Sequence, residues 1–241
     1  MITLYQMPVS HYCEKVRWAL AYKRLPYRTK NLLPGLHARP VKKMTGQTAV
    51  PVLKDGCQIL ANSSDIISFL DDEYPRFSLT PDDSDLALQA KEWEAWADAE
   101  IAVNVRILAY YHLLDRPDLL KPMFCDRGPW YGRFYIDLTY EKVAAALRQG
   151  LQLNEQRVEK AKEALKLAII KLKPYVESNS RLLGSDFSRA DLAVAALLAP
   201  LFQPNKYDLM WPESMPVDFQ RDVAEFESVK AWVLDTYQRY R

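Results

Sequence analysis

The sequence has only three cysteines in 241 residues, Cys13, Cys57 and Cys125, an odd and widely spaced set that cannot form a disulfide framework. Free thiols of this kind suit a reducing compartment, so the expected location is cytoplasmic. No Gly-rich phosphate loop is present, and the chain holds only seven glycines. His11, His37 and His112 lie far apart without metal-ligand spacing, so no metal is expected. No run approaches the ~18 uninterrupted apolar residues of a membrane-crossing helix, and "MITLYQMPVS" lacks the basic start and apolar stretch of a signal peptide. An excess of one charge is missing as well. With 32 Lys and Arg against 31 Asp and Glu, the net charge of +1 gives no electrostatic reason to expect nucleic acid or a membrane as partner.

What is present is an ordinary globular composition, 49% apolar and 26% charged, long enough for one large domain or two modest ones. "ITLYQM" reads as a short strand stopped by Pro8. From Cys13 to Lys23, Val16, Leu20 and Lys23 share a helical face that Ala19 and Trp18 widen. "PYRTKNLL" reads as a second strand, and "VPVLKDGCQIL" as a hairpin turning through Lys54-Asp55-Gly56. Asn62 or Ser63 then caps a helix carrying Ile66, Ile67, Phe69 and Leu70. A polar stretch with two prolines follows, "YPRFSLTPDDSD", after which the strand signal disappears. Leu86, Ala90, Trp93, Ala97 and Ile101 predict one long helix to about Leu114, and Val158 through Val176 a second. Ser188 to Phe202 is nearly all apolar after Asp191 and should be buried on most sides. The expected organisation is an α/β domain over 1–75, a linker over 76–84 and an all-α domain over 85–241. Within the last, 115–150 reads as an insertion packed near the interdomain cleft.

Four places could carry chemistry. Ser10 and Cys13 stand at the start of the first helix, where free N–H groups and the dipole favour an anion such as a thiolate. Ser-x-x-Cys also resembles a Cys-x-x-Cys redox motif whose first cysteine has become a hydroxyl. The same spacing is equally served by Ser10 as a plain N-cap and Cys13 as a buried small residue. Pro51 opens a strand, and from the residues alone its peptide bond is expected trans, since cis makes up only ~5–6% of X–Pro bonds. "ANSSDII" offers three small polar side chains before a helix, either a carboxylate site or a simple cap. Ser188 and Asp191 form a capping box with a structural role. Trp93/Trp96 and Tyr110/Tyr111 read as core or cleft wall.

Taken together, "SHYCEKVRWAL", "AVPVL", "NSSDIISFL" and "GSDFSRADLAVAALLAPL", in this order, resemble the soluble glutathione transferase superfamily. The resemblance implies a thioredoxin-like domain, with a mixed four-stranded sheet and a cis-proline, followed by a helical bundle. It implies glutathione as co-substrate, Ser10 as the catalytic hydroxyl facing its sulfur, and Cys13 as the second position of the old redox motif. Tyr5 lies in the first strand itself, and Ser10 is preferred to it. Pro51 would be cis, the Val50 backbone would pair with the cysteinyl part, and Ser63 and Ser64 would hold the γ-glutamyl carboxylate. Asn62 stands where members commonly place Glu, Gln or Asp against the γ-glutamyl amino group, which implies weaker glutathione affinity, because charged hydrogen bonds are about twice as strong. The implied activity is conjugation of the glutathione thiolate to small apolar electrophiles by a homodimer, with Tyr110, Tyr111, Trp130 and Tyr131 as cleft wall. Two alternatives remain at this level: a glutathione-dependent thiol oxidoreductase using Cys13, or a transferase-fold scaffold without catalysis.

Overall fold

Alternation of Ile2, Leu4 and Gln6 with Thr3 and Tyr5 gives β1 (Ile2–Gln6) one fully buried face. In the computed structural model, which describes residues 1–178, 180–184 and 186–241, this strand is central in a sheet of order β2-β1-β3-β4. β2 (Tyr27–Asn31) runs parallel to it, which requires a crossover, and α1 (His11–Tyr22) supplies one. β3 (Val52–Asp55) and β4 (Gln58–Ala61) form the antiparallel hairpin, turning tightly at Gly56-Cys57, where Gly56 takes φ +55°. The bond between Val50 and Pro51 is cis, as the resemblance implies and against the local expectation. α2 (Ala38–Thr45) fills the segment before β3, and α3 (Ser63–Glu73) follows β4.

Helices dominate the remaining described residues. α4 (Ser84–Trp96) and α5 (Val103–Leu113) lie where one long helix was expected, but Ala97–Ala102 between them widens into a π turn. α6 (Pro117–Cys125) and α7 (Gly132–Leu151) occupy the segment read as an insertion. α8 (Glu155–Glu177), α9 (Arg189–Phe202), α10 (Val217–Ala224) and α11 (Glu227–Tyr240) complete the bundle. α9 is buried nearly all round, as its apolar run requires, and each fully buried Leu or Val there contributes about 1.5–3 kcal/mol. Its start carries the expected capping box: Asp191 accepts from the Ser188 N–H at 3.0 Å and from the Leu182 N–H at 2.9 Å. Ser185, within the same motif, lies outside the described residues.

α1 is packed between α3 and α9, so its polar residues have no route to water. Glu14, Lys15 and Arg17 are all fully buried, and each has a counter-charge: Arg17 Nε reaches Glu14 Oε2 at 2.6 Å, and Lys15 Nζ reaches Asp98 Oδ1 at 2.8 Å. The start of α1 is therefore held in place from both halves of the molecule.

Candidate active site

Ser10 is the N-cap of α1. Its extended backbone (φ −79°, ψ 120°) turns the side chain back over the helix start, where Oγ accepts the Cys13 N–H at 3.4 Å. Ser10 is half-buried and lines a cavity of about 590 Å³, a size typical of small-molecule sites. Cys13 does not line this cavity. It is fully buried, and burial pushes its thiol above the ordinary value despite the opposing Ser10 hydrogen bond and Arg17 charge. His11 and Tyr12 do line it. Burial, together with the positive charges of Arg106 and Lys15, drives His11 well below the usual imidazole range, so the ring is neutral. Burial and Asp98 raise the Tyr12 phenol to about 12, and that hydroxyl donates to the Asp98 carbonyl at 3.2 Å.

The facing walls come from across the fold. The sheet side supplies Val50 at the cis bond, and Gly35 and His37 from the loop leading into α2. Gly35 has φ +87°, and a Cβ there would stand 2.7 Å from the Tyr135 hydroxyl, so this position needs glycine on two counts. The helical side supplies Arg106 and Tyr110 from α5, Met123 and Phe124 from α6, and Tyr135 and Lys142 from α7. Trp211 and Met215 close the cavity from the segment between α9 and α10.

Of the four aromatic residues expected in the cleft wall, only Tyr110 lines this cavity. Adjacent residues on a helix point about 100° apart, and Tyr111 instead packs edge-on against His112 at 5.3 Å. Trp130 and Tyr131 sit on the turn before α7, 95% and 42% exposed, stacked edge-to-face on each other outside the lining. Arg106, His37, Tyr135 and Trp211 were not singled out from the sequence. Arg106 could have been, since it stands one turn before Tyr110 on the same face; no local signal marks Trp211.

The lining of this cavity includes none of Asn62, Ser63 and Ser64 at the start of α3. Asn62, at φ 76°, caps the helix by accepting the Ser64 N–H at 2.9 Å. The Ser64 hydroxyl donates to Asp98 Oδ2 at 3.0 Å and accepts from Lys15 Nζ at 3.4 Å, while Ser63 is buried. Asp98 belongs to the π turn between α4 and α5, and the turn brings its carboxylate to α1 and α3 together. Among the described residues no three His, Cys, Asp or Glu side chains gather as metal ligands, and no helix is long and apolar enough to cross a membrane.

Residues 4–81 match the family described as glutathione S-transferase, N-terminal domain. No curated protein matches the sequence. Among solved structures, the chain is similar to glutathione transferase GSTFuA3 from Phanerochaete chrysosporium, at 19% identity over 100% of this chain and 97% of that one, with a TM-score of 0.69. It is similar to the beta-etherase LigF from Sphingobium sp. strain SYK-6, at 15% identity over 100% and 99%, TM-score 0.67. It is also similar to the theta class glutathione S-transferase of the citrus canker pathogen Xanthomonas axonopodis pv. citri, solved with glutathione bound, at 16% identity over 99% and 96%, TM-score 0.62. At such identities the likeness is one of fold.

Proposed function

From a chain whose residues 4–81 form a glutathione S-transferase N-terminal domain and whose whole length carries the soluble glutathione S-transferase fold, we propose an enzyme that conjugates the glutathione thiolate to small apolar electrophiles. The observation that carries this reading is Ser10: a hydroxyl at the N-cap of α1, open to a cavity that Val50 also lines beside its cis bond to Pro51. In the proposed reaction, the Val50 backbone pairs with the cysteinyl part of glutathione. The Ser10 O–H donates to the sulfur, and the start of α1 adds its dipole. Each unit by which the bound thiol's pKa falls needs only ~1.4 kcal/mol of preference for the thiolate. The sulfur then forms a bond to an electrophilic carbon, and the displaced group leaves with its electron pair. The side chains of Met123, Phe124 and Val143 along the helical wall suit an apolar co-substrate.

The γ-glutamyl end is assigned to the start of α3, with Ser63 and Ser64 receiving the carboxylate. Ser64 must then share its hydroxyl with Asp98, and Asn62 brings no charge, so modest affinity for glutathione is expected. A homodimer is part of the same reading and is tested by light scattering at assay concentration.

Ser10→Ala should lower kcat/KM roughly 10- to 100-fold, the worth of one hydrogen bond to a charged group, and raise the pKa of bound glutathione by about one to two units. An unchanged thiolate absorbance titration in a folded variant overturns the role of Ser10. If the folded wild-type protein binds neither glutathione nor S-methylglutathione, the scaffold reading replaces it.

A further inference from the structure

Acidic and basic residues are almost equal in number in the chain, 31 against 32, yet no Asp or Glu lines the main cavity, whereas Arg106, Lys142, His11 and His37 do. Arg106 is the unusual member. It is half-buried, and among the described residues it has neither a carboxylate within ion-pair distance nor a hydrogen-bond partner for its guanidinium. The deeply buried cations Lys15, Arg17, Lys23, Arg181 and Arg189 are each matched by a carboxylate within 3.3 Å. A guanidinium drawn from water without a counter-charge is costly. Here that guanidinium lines the cavity.

Of the four buried side-chain polar atoms left without a hydrogen-bond partner among the described residues, Glu94 Oε1 faces the Lys15 ammonium at 2.9 Å. The other three, His11 Nε2, His37 Nδ1 and Trp211 Nε1, all belong to side chains lining this cavity. Native folds leave few such groups unpaired, and each calls for an explanation. All three atoms are closed off from the cavity space itself and lie behind its lining.

We propose that the cavity takes an apolar, ring-sized ligand bearing a single anionic group, a carboxylate or its equivalent, which Arg106 pairs. The ring lies against Tyr110, Phe124 and Val143. Resting on the transferase reading, the co-substrate is then an anionic aromatic electrophile rather than a neutral one, and its anion binds on the α5 wall instead of in the place of a glutathione carboxylate.

The test is calorimetric titration of the full chain with 2-naphthoate and with its neutral partner 2-naphthamide, each with and without saturating S-methylglutathione. The expected result is that naphthoate binds at least ten-fold tighter than naphthamide under both conditions. Arg106→Gln should bind the two alike, while Arg106→Lys keeps part of the preference. Equal affinities in the wild-type protein, a preference that survives Arg106→Gln, or displacement of naphthoate by S-methylglutathione each overturn the proposal. If naphthoate binds through Arg106 but S-methylglutathione gives no binding, the anion site stands and the transferase reading falls.

Discussion

Ser10 and Cys13 sit three residues apart at one helix end and are treated in opposite ways by their surroundings. The hydroxyl reaches the cavity, whereas the thiol is fully buried and burial raises its pKa. A thiol must be both accessible and ionised to act as a nucleophile, so the Cys13 oxidoreductase reading loses on both counts. With iodoacetamide at pH 7, exposed Cys57 should be alkylated first and Cys13 should remain unmodified in the native protein, as peptide mapping by mass spectrometry would check. Rapid labelling of Cys13 would restore the redox reading. The residue types at this turn were legible in the sequence because capping is a local bargain between one side chain and the next turn's N–H groups. Their accessibility was not legible, because it depends on α3 and α9 closing over α1.

Elements were legible wherever neighbouring residues decide them. The capping box of α9 is one such case. Asp191 sits fully buried and accepts from Leu182 N, Ser188 N and Ser188 Oγ, at 2.9, 3.0 and 3.0 Å. Asp191→Ala leaves two buried N–H groups unpaired and should cost about 2–5 kcal/mol. Asp191→Asn keeps one acceptor oxygen and should cost less. Urea unfolding midpoints of the two variants would measure the difference, and equal losses would show that charge rather than acceptor geometry matters. The π turn was not legible. Leu86, Ala90, Trp93, Ala97 and Ile101 repeat at steps that suit either a plain helix or one slightly unwound. What the sequence period does not show is that Asp98, in the widened turn, bonds to Lys15 on α1 and Ser64 on α3. Wide turns of this kind recur at functional sites, and this one ties the helical region to the site's sheet side.

On the scale of the whole molecule, a buried ionic network joins α1, α3, α4 and α9. Glu94 meets Lys15 at 2.9 Å and Arg189 at 2.6 Å, and Arg189 reaches on to the Ser64 carbonyl at 2.9 Å. Burial alone would raise the Glu94 pKa, but the two cations outweigh it and hold the carboxyl below its ordinary value of 4.5. Its folded-state pKa is therefore depressed, so the stability it contributes is present above pH ~4.5 and lost as pH falls through the lower folded-state value. Glu94→Gln should cost about 3–5 kcal/mol at pH 7, as for other broken buried pairs, and the gap to wild type should narrow as the pH falls below 4.5 in urea titrations. A gap independent of pH would mean that packing, not charge, is at stake. By itself the sequence determined β1, α1, β2, the β3–β4 hairpin with its turn at Gly56, α3, α8 and α9, and the caps at Ser10 and Ser188, because each depends on residues close in the chain. It left the α3 cap between Asn62 and Ser63 and did not give α2, α6, α7, α10 or α11. Only the tertiary structure decided that Arg106, Trp211 and Ser10 share a cavity while Trp130 and Tyr131 stand outside it. Those outcomes follow from which surfaces are buried and which charges find partners far along the chain, 83 residues apart for Lys15 and Asp98 and 95 for Glu94 and Arg189. No local pattern of side chains carries that information.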